Sequence, residues 1–156
     1  MTKDDLANRI LAMTDTMYHI SYGMLTNRSD QEDAVQECIR KALAKHTSLR
    51  DGRYVKTWVT RILINECNNI LRRRKREIPT DEAYLVAPQT ADADMFDLLS
   101  GLTEKHRLPL ILHYHEGYTT REVATILRVP EGTIKGRLVS ARKELSAMLN
   151  GEEVLA

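Results

Sequence analysis

From Leu6 onward the apolar residues of this chain return at steps of three and four, the spacing that lines side chains along one face of an α-helix. Leu6, Ile10, Met13, Met17, Ile20 and Met24 form one such line and predict a single long first helix. Ser29-Asp30-Gln31-Glu32 has the form of a capping box, in which a hydroxyl and a carboxylate each accept from a backbone N–H at a helix start. It predicts a second helix with Ala34, Val35, Cys38, Ile39, Ala42 and Leu43 buried. After a polar stretch, Lys45 to Gly52, a third helix turns Val55, Trp58, Val59, Ile62, Leu63, Cys67, Ile70 and Leu71 inward and ends in Arg72-Arg73-Arg74-Lys75-Arg76. Three such faces close a helical core without a strand. The same spacing favours the core over base-stacking for Trp58 and makes Cys38 and Cys67 small buried residues.

At Glu77 the periodicity stops. Ile78-Pro79-Thr80 and Ala87-Pro88-Gln89-Thr90 set breaker residues among acidic ones, which predicts a flexible linker over residues 77–92 between a domain of residues 1–76 and one of 93–156. The fold class expected is all-α, two small helical domains joined by an acidic linker. With 5% aromatic residues and 7 scattered glycines, the chain lacks β-sandwich patterning and Gly-rich phosphate loops. No apolar run approaches the roughly 18 residues that cross a bilayer, and the start, Met1-Thr2-Lys3-Asp4-Asp5, has no signal pattern, so no membrane insertion and a cytoplasmic location are expected. The 2 cysteines form no C-x-x-C pair, and His19, His46, His106, His113 and His115 have no metal-ligand spacing. Neither a catalytic site, a cofactor site nor a metal site is expected.

Charge is nearly balanced overall and strongly segregated along the chain. Residues 51–76 hold eight basic and two acidic side chains, residues 77–105 one and seven, and residues 106–150 seven and four. Two basic segments flanking an acidic one fit two polyanion-binding surfaces joined by a segment that a polyanion repels.

In the second half, Met95, Phe96, Leu98 and Leu99 resume a helical pattern that stops at Gly101 and restarts after Thr103, a residue type suited to an N-cap. Pro109 removes the backbone bond to Lys105, which predicts a bend or a late start, with Leu110, Ile111 and Tyr114 inward. Thr119-Thr120-Arg121-Glu122 is a second capping box, opening a short helix with Val123, Ala124, Ile126 and Leu127 inward. Arg128 and Val129 make a turn, Pro130 takes the first position of the next helix, and Ile134, Leu138, Ala141, Leu145 and Leu149 form its apolar line. Short helix, tight turn and longer helix make a helix-turn-helix, whose second helix offers its early residues to a DNA major groove. Glu131, Thr133, Lys135, Arg137 and Ser140 lie between the buried positions, and Lys and Arg suit guanine O6 and N7. On the third helix, Lys56, Arg61, Asn65, Asn68 and Arg72 oppose the apolar face, a set of cations and amides suited to a phosphate backbone and exposed base edges.

Two stretches carry a family resemblance. Asp33-Ala34-Val35-Gln36-Glu37, Trp58 to Cys67 and the basic run after it resemble region 2 of bacterial sigma factors. Arg107 to Leu112, Glu116 to Thr119, Glu122-Val123-Ala124 and Pro130 to Leu138 resemble their region 4. With both in order and a short linker between, the chain is similar to the extracytoplasmic-function group. The resemblance implies a protein that binds RNA polymerase core and directs initiation at minus-10 and minus-35 promoter elements. It implies that Asp33, Gln36, Glu37 and Arg40 dock on the clamp helices of the largest polymerase subunit, and that the second domain meets the flap. It assigns Arg61 and Asn65, with the Lys45 to Gly52 loop, to the unwound minus-10 element, to which the stripe adds Lys56, Asn68 and Arg72. It assigns Lys135, Gly136, Arg137 and Ser140 to the minus-35 duplex, to which the helix-turn-helix pattern adds Arg121 and Thr133. Gly136 stands where the family often has Ser or Asn. An anti-sigma partner is implied as well. The alternative, a self-sufficient helix-turn-helix regulator, needs a sensor domain, and residues 1–76 show neither alternating strands nor an acidic receiver pocket.

Overall fold

The computed structural model describes residues 2–76, 98, 99 and 101–151; the expected linker lies outside the described residues. Contacts divide the chain into two compact units, Met1–Pro88 and Gln89–Ala156. Among the described residues there is no strand, and no helix is long and apolar enough to cross a membrane.

In the first unit the apolar line from Leu6 to Met24 is carried by two helices rather than one: α1 (Lys3–Ala12) and α2 (Thr14–Met24). The Thr14 hydroxyl donates to the Leu11 carbonyl at 2.9 Å, where an unbroken helix would use the N–H of Asp15, and Met13 closes α1 with a tighter bond to Ile10 at 2.9 Å. The line survives the break, since Leu6, Ile10, Met13, Met17 and Ile20 are all buried.

Helix α3 (Arg28–Ala44) starts two residues earlier than the capping box at Ser29 predicts. Asn27 is the N-cap, its side-chain oxygen accepting from Asp30 N at 2.8 Å. With the cap moved to Asn27, Asp30 takes the position facing it and accepts from the Asn27 amide at 3.0 Å, while Glu32, inside the helix, pairs with Arg28 at 3.1 Å.

The polar stretch after α3 folds into two 3₁₀ turns, His46–Ser48 and Gly52–Tyr54, and α4 (Val55–Arg76) ends in the basic run. Val55, Val59, Leu63, Cys67 and Ile70 form its buried line, against α3, α2 and α1. Ala34, Val35, Cys38 and Ala42 answer from α3, and the small side chains at 34, 38 and 42 let the two helices approach closely. Burial pushes both cysteine thiols up to about 12, so they pack as apolar groups. Trp58 is only half-buried, a correction to its placement in the core: it sits at the edge of the apolar line.

The second unit is built from α5 (Glu104–Leu110), α6 (Thr120–Leu127) and α7 (Glu131–Leu149). Thr103 is the N-cap of α5 as expected, but its hydroxyl donates to Glu144 on α7 at 2.8 Å instead of capping the helix. Pro109 neither delays nor stops α5. The helix runs through it and widens into a π turn, Ile111–His115, with Glu116 N donating to Ile111 O at 2.9 Å. The wider turn advances each side chain by a smaller angle, so Leu110 and Ile111 are buried while Tyr114 is 53% exposed, against the inward placement expected from the α-helical spacing. Tyr114 lies instead against Arg142, whose guanidinium stands 5.8 Å from the ring centre.

Arg107 is the buried cation of this unit. Its Nε donates to Leu99 O at 3.2 Å and its Nη2 to Leu102 O at 3.0 Å, satisfying carbonyls at the end of the preceding helical turn. Removing the guanidinium strands both acceptors in a dry site, at about 1–3 kcal/mol each. Arg107→Ala is therefore expected to destabilise this unit by about 3 kcal/mol in urea denaturation, and Arg107→Lys, a single point donor, is expected to restore less than half of that.

Candidate nucleic-acid and polymerase interfaces

Helix α4 separates two surfaces by its register. Arg61, Asn65, Asn68 and Arg72 follow at steps of four, three and four, and with about 100° per residue they fall on one line half a turn from Val55, Val59, Leu63, Cys67 and Ile70. Asn65 and Arg72 are exposed, and Arg61 and Asn68 are partly covered. Lys56 does not belong to this line. Four residues before buried Thr60 and seven before buried Leu63, it is exposed only because α4 has just begun. Tyr54, immediately before the helix, is 58% exposed and extends the line at its start together with half-buried Trp58.

The loop leading to this line is prearranged. Asp51 caps the second 3₁₀ turn by accepting from Arg53 N at 2.9 Å and grips the Arg53 guanidinium at 2.9 and 2.7 Å. Those hydrogen bonds hold the Asp51 carboxyl below the usual carboxylate range.

Asp33, Gln36, Glu37 and Arg40 come together on α3, one turn apart, beside a shallow groove of about 590 Å³ whose other wall is Glu66, Asn69, Ile70 and Arg73 of α4. Arg40 donates through Nε to Glu37 at 3.0 Å, and this bond lowers the Glu37 pKa. The groove is braced at both ends by ion pairs between the helices. Arg74 forks onto Asp30 at 2.7 and 2.9 Å, and Lys41 binds Glu66. Sequence reading had no signal for these two pairs, because their partners are 44 and 25 residues apart.

In the second unit the helix-turn-helix forms as predicted, with one shift. Thr119 and Glu122 complete their capping box, Thr119 Oγ1 accepting from Glu122 N at 3.1 Å and Glu122 accepting from Thr119 N at 3.0 Å. Pro130 is the N-cap of α7 and not its first helical residue, since its ψ of 148° is still extended. The turn is made by Arg128, the one described residue other than glycine with positive φ, at 58°. Ile134, Leu138 and Ala141 face the core, and the opposite side of α7 presents half-covered Thr133, exposed Gly136 and exposed Ser140. Lys135 and Arg137 flank that row, and Arg121 is exposed on the first turn of α6. Glu131 is not free to face outward: Thr120 donates to it at 2.9 Å, joining the starts of α6 and α7, and Lys135 stands 3.6 Å away.

A model of sigma-70 region 2 matches residues 10–77, and a model of sigma-70 region 4 matches residues 98–147. The ECF RNA polymerase sigma factor EcfG of Rhodopseudomonas palustris (strain TIE-1) is 31% identical over 155 residues, spanning 94% of this chain and 86% of that protein. The chain belongs to the extracytoplasmic-function sigma factors. It is similar at 27% identity to the RNA polymerase sigma factor SigV of Bacillus subtilis (strain 168), across 98% of this chain and 96% of that one. Among solved structures, the sigma factor RpoE in complex with the anti-sigma factor NepR from Bartonella quintana matches with a TM-score of 0.80 at 26% identity, over 96% of this chain and 99% of that chain. As an alternative sigma factor it binds RNA polymerase core and directs initiation at promoters. The self-sufficient regulator is set aside, because the first half of this sigma factor is a region 2 domain.

Gly136 is the exposed helical position with the plainest energetic consequence. A Cβ built there meets nothing within 4 Å, so a side chain fits, and the glycine costs the helix about 1 kcal/mol relative to alanine. Gly136→Ala is expected to raise the stability of this unit by about that amount in thermal denaturation.

Proposed function

We propose that the three surfaces of this sigma factor divide initiation among them. Asp33, Gln36, Glu37 and Arg40, with the groove beside them, dock on the clamp helices of the largest polymerase subunit, and the second domain meets the flap. Arg61, Asn65, Asn68 and Arg72, with the 45–52 loop, hold the unwound minus-10 element, and Lys56, off that line at the helix start, adds only long-range positive charge. Arg121, Thr133, Lys135, Gly136, Arg137 and Ser140 read the minus-35 element as duplex. The observation that carries this reading is the register of α4: its amide and guanidinium line lies opposite its buried line and is continuous with a prearranged basic loop. Uncharged Asn65 and Asn68 in the middle of that line suit base edges, which become available only when the strands part.

The domains proposed are residues 1–76 and 93–156, joined by the acidic segment 77–92, whose charge keeps the polyanion off the connection. The protein acts in the cytoplasm with the polymerase and makes and breaks no bonds itself; nucleotide addition belongs to the polymerase. An anti-sigma factor holds it inactive, a reading supported by the likeness to a sigma factor crystallised with one.

Two substitutions separate the DNA surfaces. A contact from Arg137 to guanine is worth about 1–3 kcal/mol, so Arg137→Ala is expected to weaken the closed complex about tenfold or more and to recover on a template already melted at minus-10. Asn65→Ala is expected to leave the closed complex unchanged and to fail on the melted template as well. Equal loss in the closed complex and equal recovery on the melted template would contradict the division.

A further inference from the structure

Helix α1 has no part in the surfaces above, yet it grips the loop that leads into α4. Arg9 donates through Nη1 to the carbonyl of Gly52 at 2.7 Å, a bond between residues 43 apart in sequence. Between them lies an open cleft of about 410 Å³ lined by Asp5, Asn8, Arg9, Arg50 and Gly52.

The charges around this cleft leave it net positive. Asp5, its one acidic lining residue, accepts from Thr2 N at 3.3 Å in the capping box of α1 and offsets part of the Arg9 charge, and Arg50 supplies the excess. Asp51, the nearest carboxylate in the loop, is held by both the backbone and the guanidinium of Arg53. Among the described residues neither Arg9 nor Arg50 forms an ion pair, and Arg9 spends one N–H on a neutral carbonyl, leaving the rest of its fork open. Two guanidinium groups and an amide around one opening match the two non-bridging oxygens of a phosphodiester.

We propose that this cleft binds one backbone phosphate of the unwound promoter strand, with Arg9 and Arg50 as its ligands and Asn8 donating beside them. Arg9 thereby does two things at once: it fixes the end of the loop through Gly52 and neutralises the strand next to it. An open cleft with two cations has little affinity for a free anion. A strand already held along α4 delivers its own phosphate there at high local concentration. The proposal rests on reading α4 and its loop as the minus-10 surface, and it makes α1 part of promoter binding.

The test uses polymerase holoenzyme and a template pre-melted at minus-10, with binding measured over a range of salt concentrations. Arg9→Ala and Arg50→Ala are each expected to weaken binding about tenfold while the unfolding midpoint stays unchanged, and each is expected to shrink the log–log salt slope by about 0.7, the share of one single-strand phosphate. A methylphosphonate moved along the strand should weaken the wild type at one position and leave Arg9→Ala indifferent there. Asn65→Ala runs alongside as the control for the parent reading. If Asn65→Ala weakens binding while both arginine variants behave as wild type, the phosphate site is wrong and the minus-10 surface stands. If Asn65→Ala is also without effect, the surface itself is wrong and the site falls with it. If Arg9→Ala weakens binding with an unchanged slope and no methylphosphonate distinguishes it from wild type, Arg9 only braces the loop and the proposal is overturned.

Discussion

The packing of α3 on α4 is the constraint on which the first unit depends. Ala34, Cys38 and Ala42 are small enough to let α4 lie close, and Val55, Val59, Leu63, Cys67 and Ile70 fill the seam with no buried polar side-chain atom left without a partner among the described residues. Once that seam is fixed, α4 has no rotational freedom. Its opposite line must then face away from α3, and the groove between the two helices must open at their shared edge. Asp30–Arg74 and Lys41–Glu66 hold the register along the axis. Replacing Arg74 would leave the mostly buried carboxylate of Asp30 without its forked partner, a far larger penalty than losing a surface pair.

The second unit solves a similar problem with polar bonds between its helices. Thr103, His106 and Glu144 stitch α5 to α7, with Thr103 Oγ1 donating to Glu144 at 2.8 Å and His106 Nδ1 at 3.3 Å from the same carboxylate. Those bonds to Thr103 and His106 lower the Glu144 pKa against the opposing effect of burial. The Thr120–Glu131 hydrogen bond then sets the start of α7 relative to α6, which fixes the direction in which the early residues of α7 point. The aim of α7 is set by a threonine and a glutamate at the two helix starts.

Much of this was legible in the sequence because helices announce themselves locally. Apolar spacing gave the buried line of α4, Thr119 and Glu122 gave the start of α6, and the motifs gave the family. Two errors arose where a side chain took a partner that apolar spacing does not show. Thr14 took the Leu11 carbonyl where the first helix splits; Asn27 took the cap, so α3 starts at Arg28. Tyr114 was misplaced because α-helical spacing was applied across a π turn. Lys56 was grouped with Arg61 because both are cations, although their separation of five residues turns them to different sides of α4. The inter-helix ion pairs and the Arg9–Gly52 bond had no local signal at all, since only the fold brings those residues together.

The central claim is that one helix serves two partners from different sides. Photocrosslinking in the promoter complex reads this directly, with a benzophenone placed at Asn68 in one protein and at Arg73, on the groove wall, in another. The account predicts that the group at 68 attaches to the unwound promoter strand and the group at 73 to the largest polymerase subunit. Attachment of both to the same partner would contradict it.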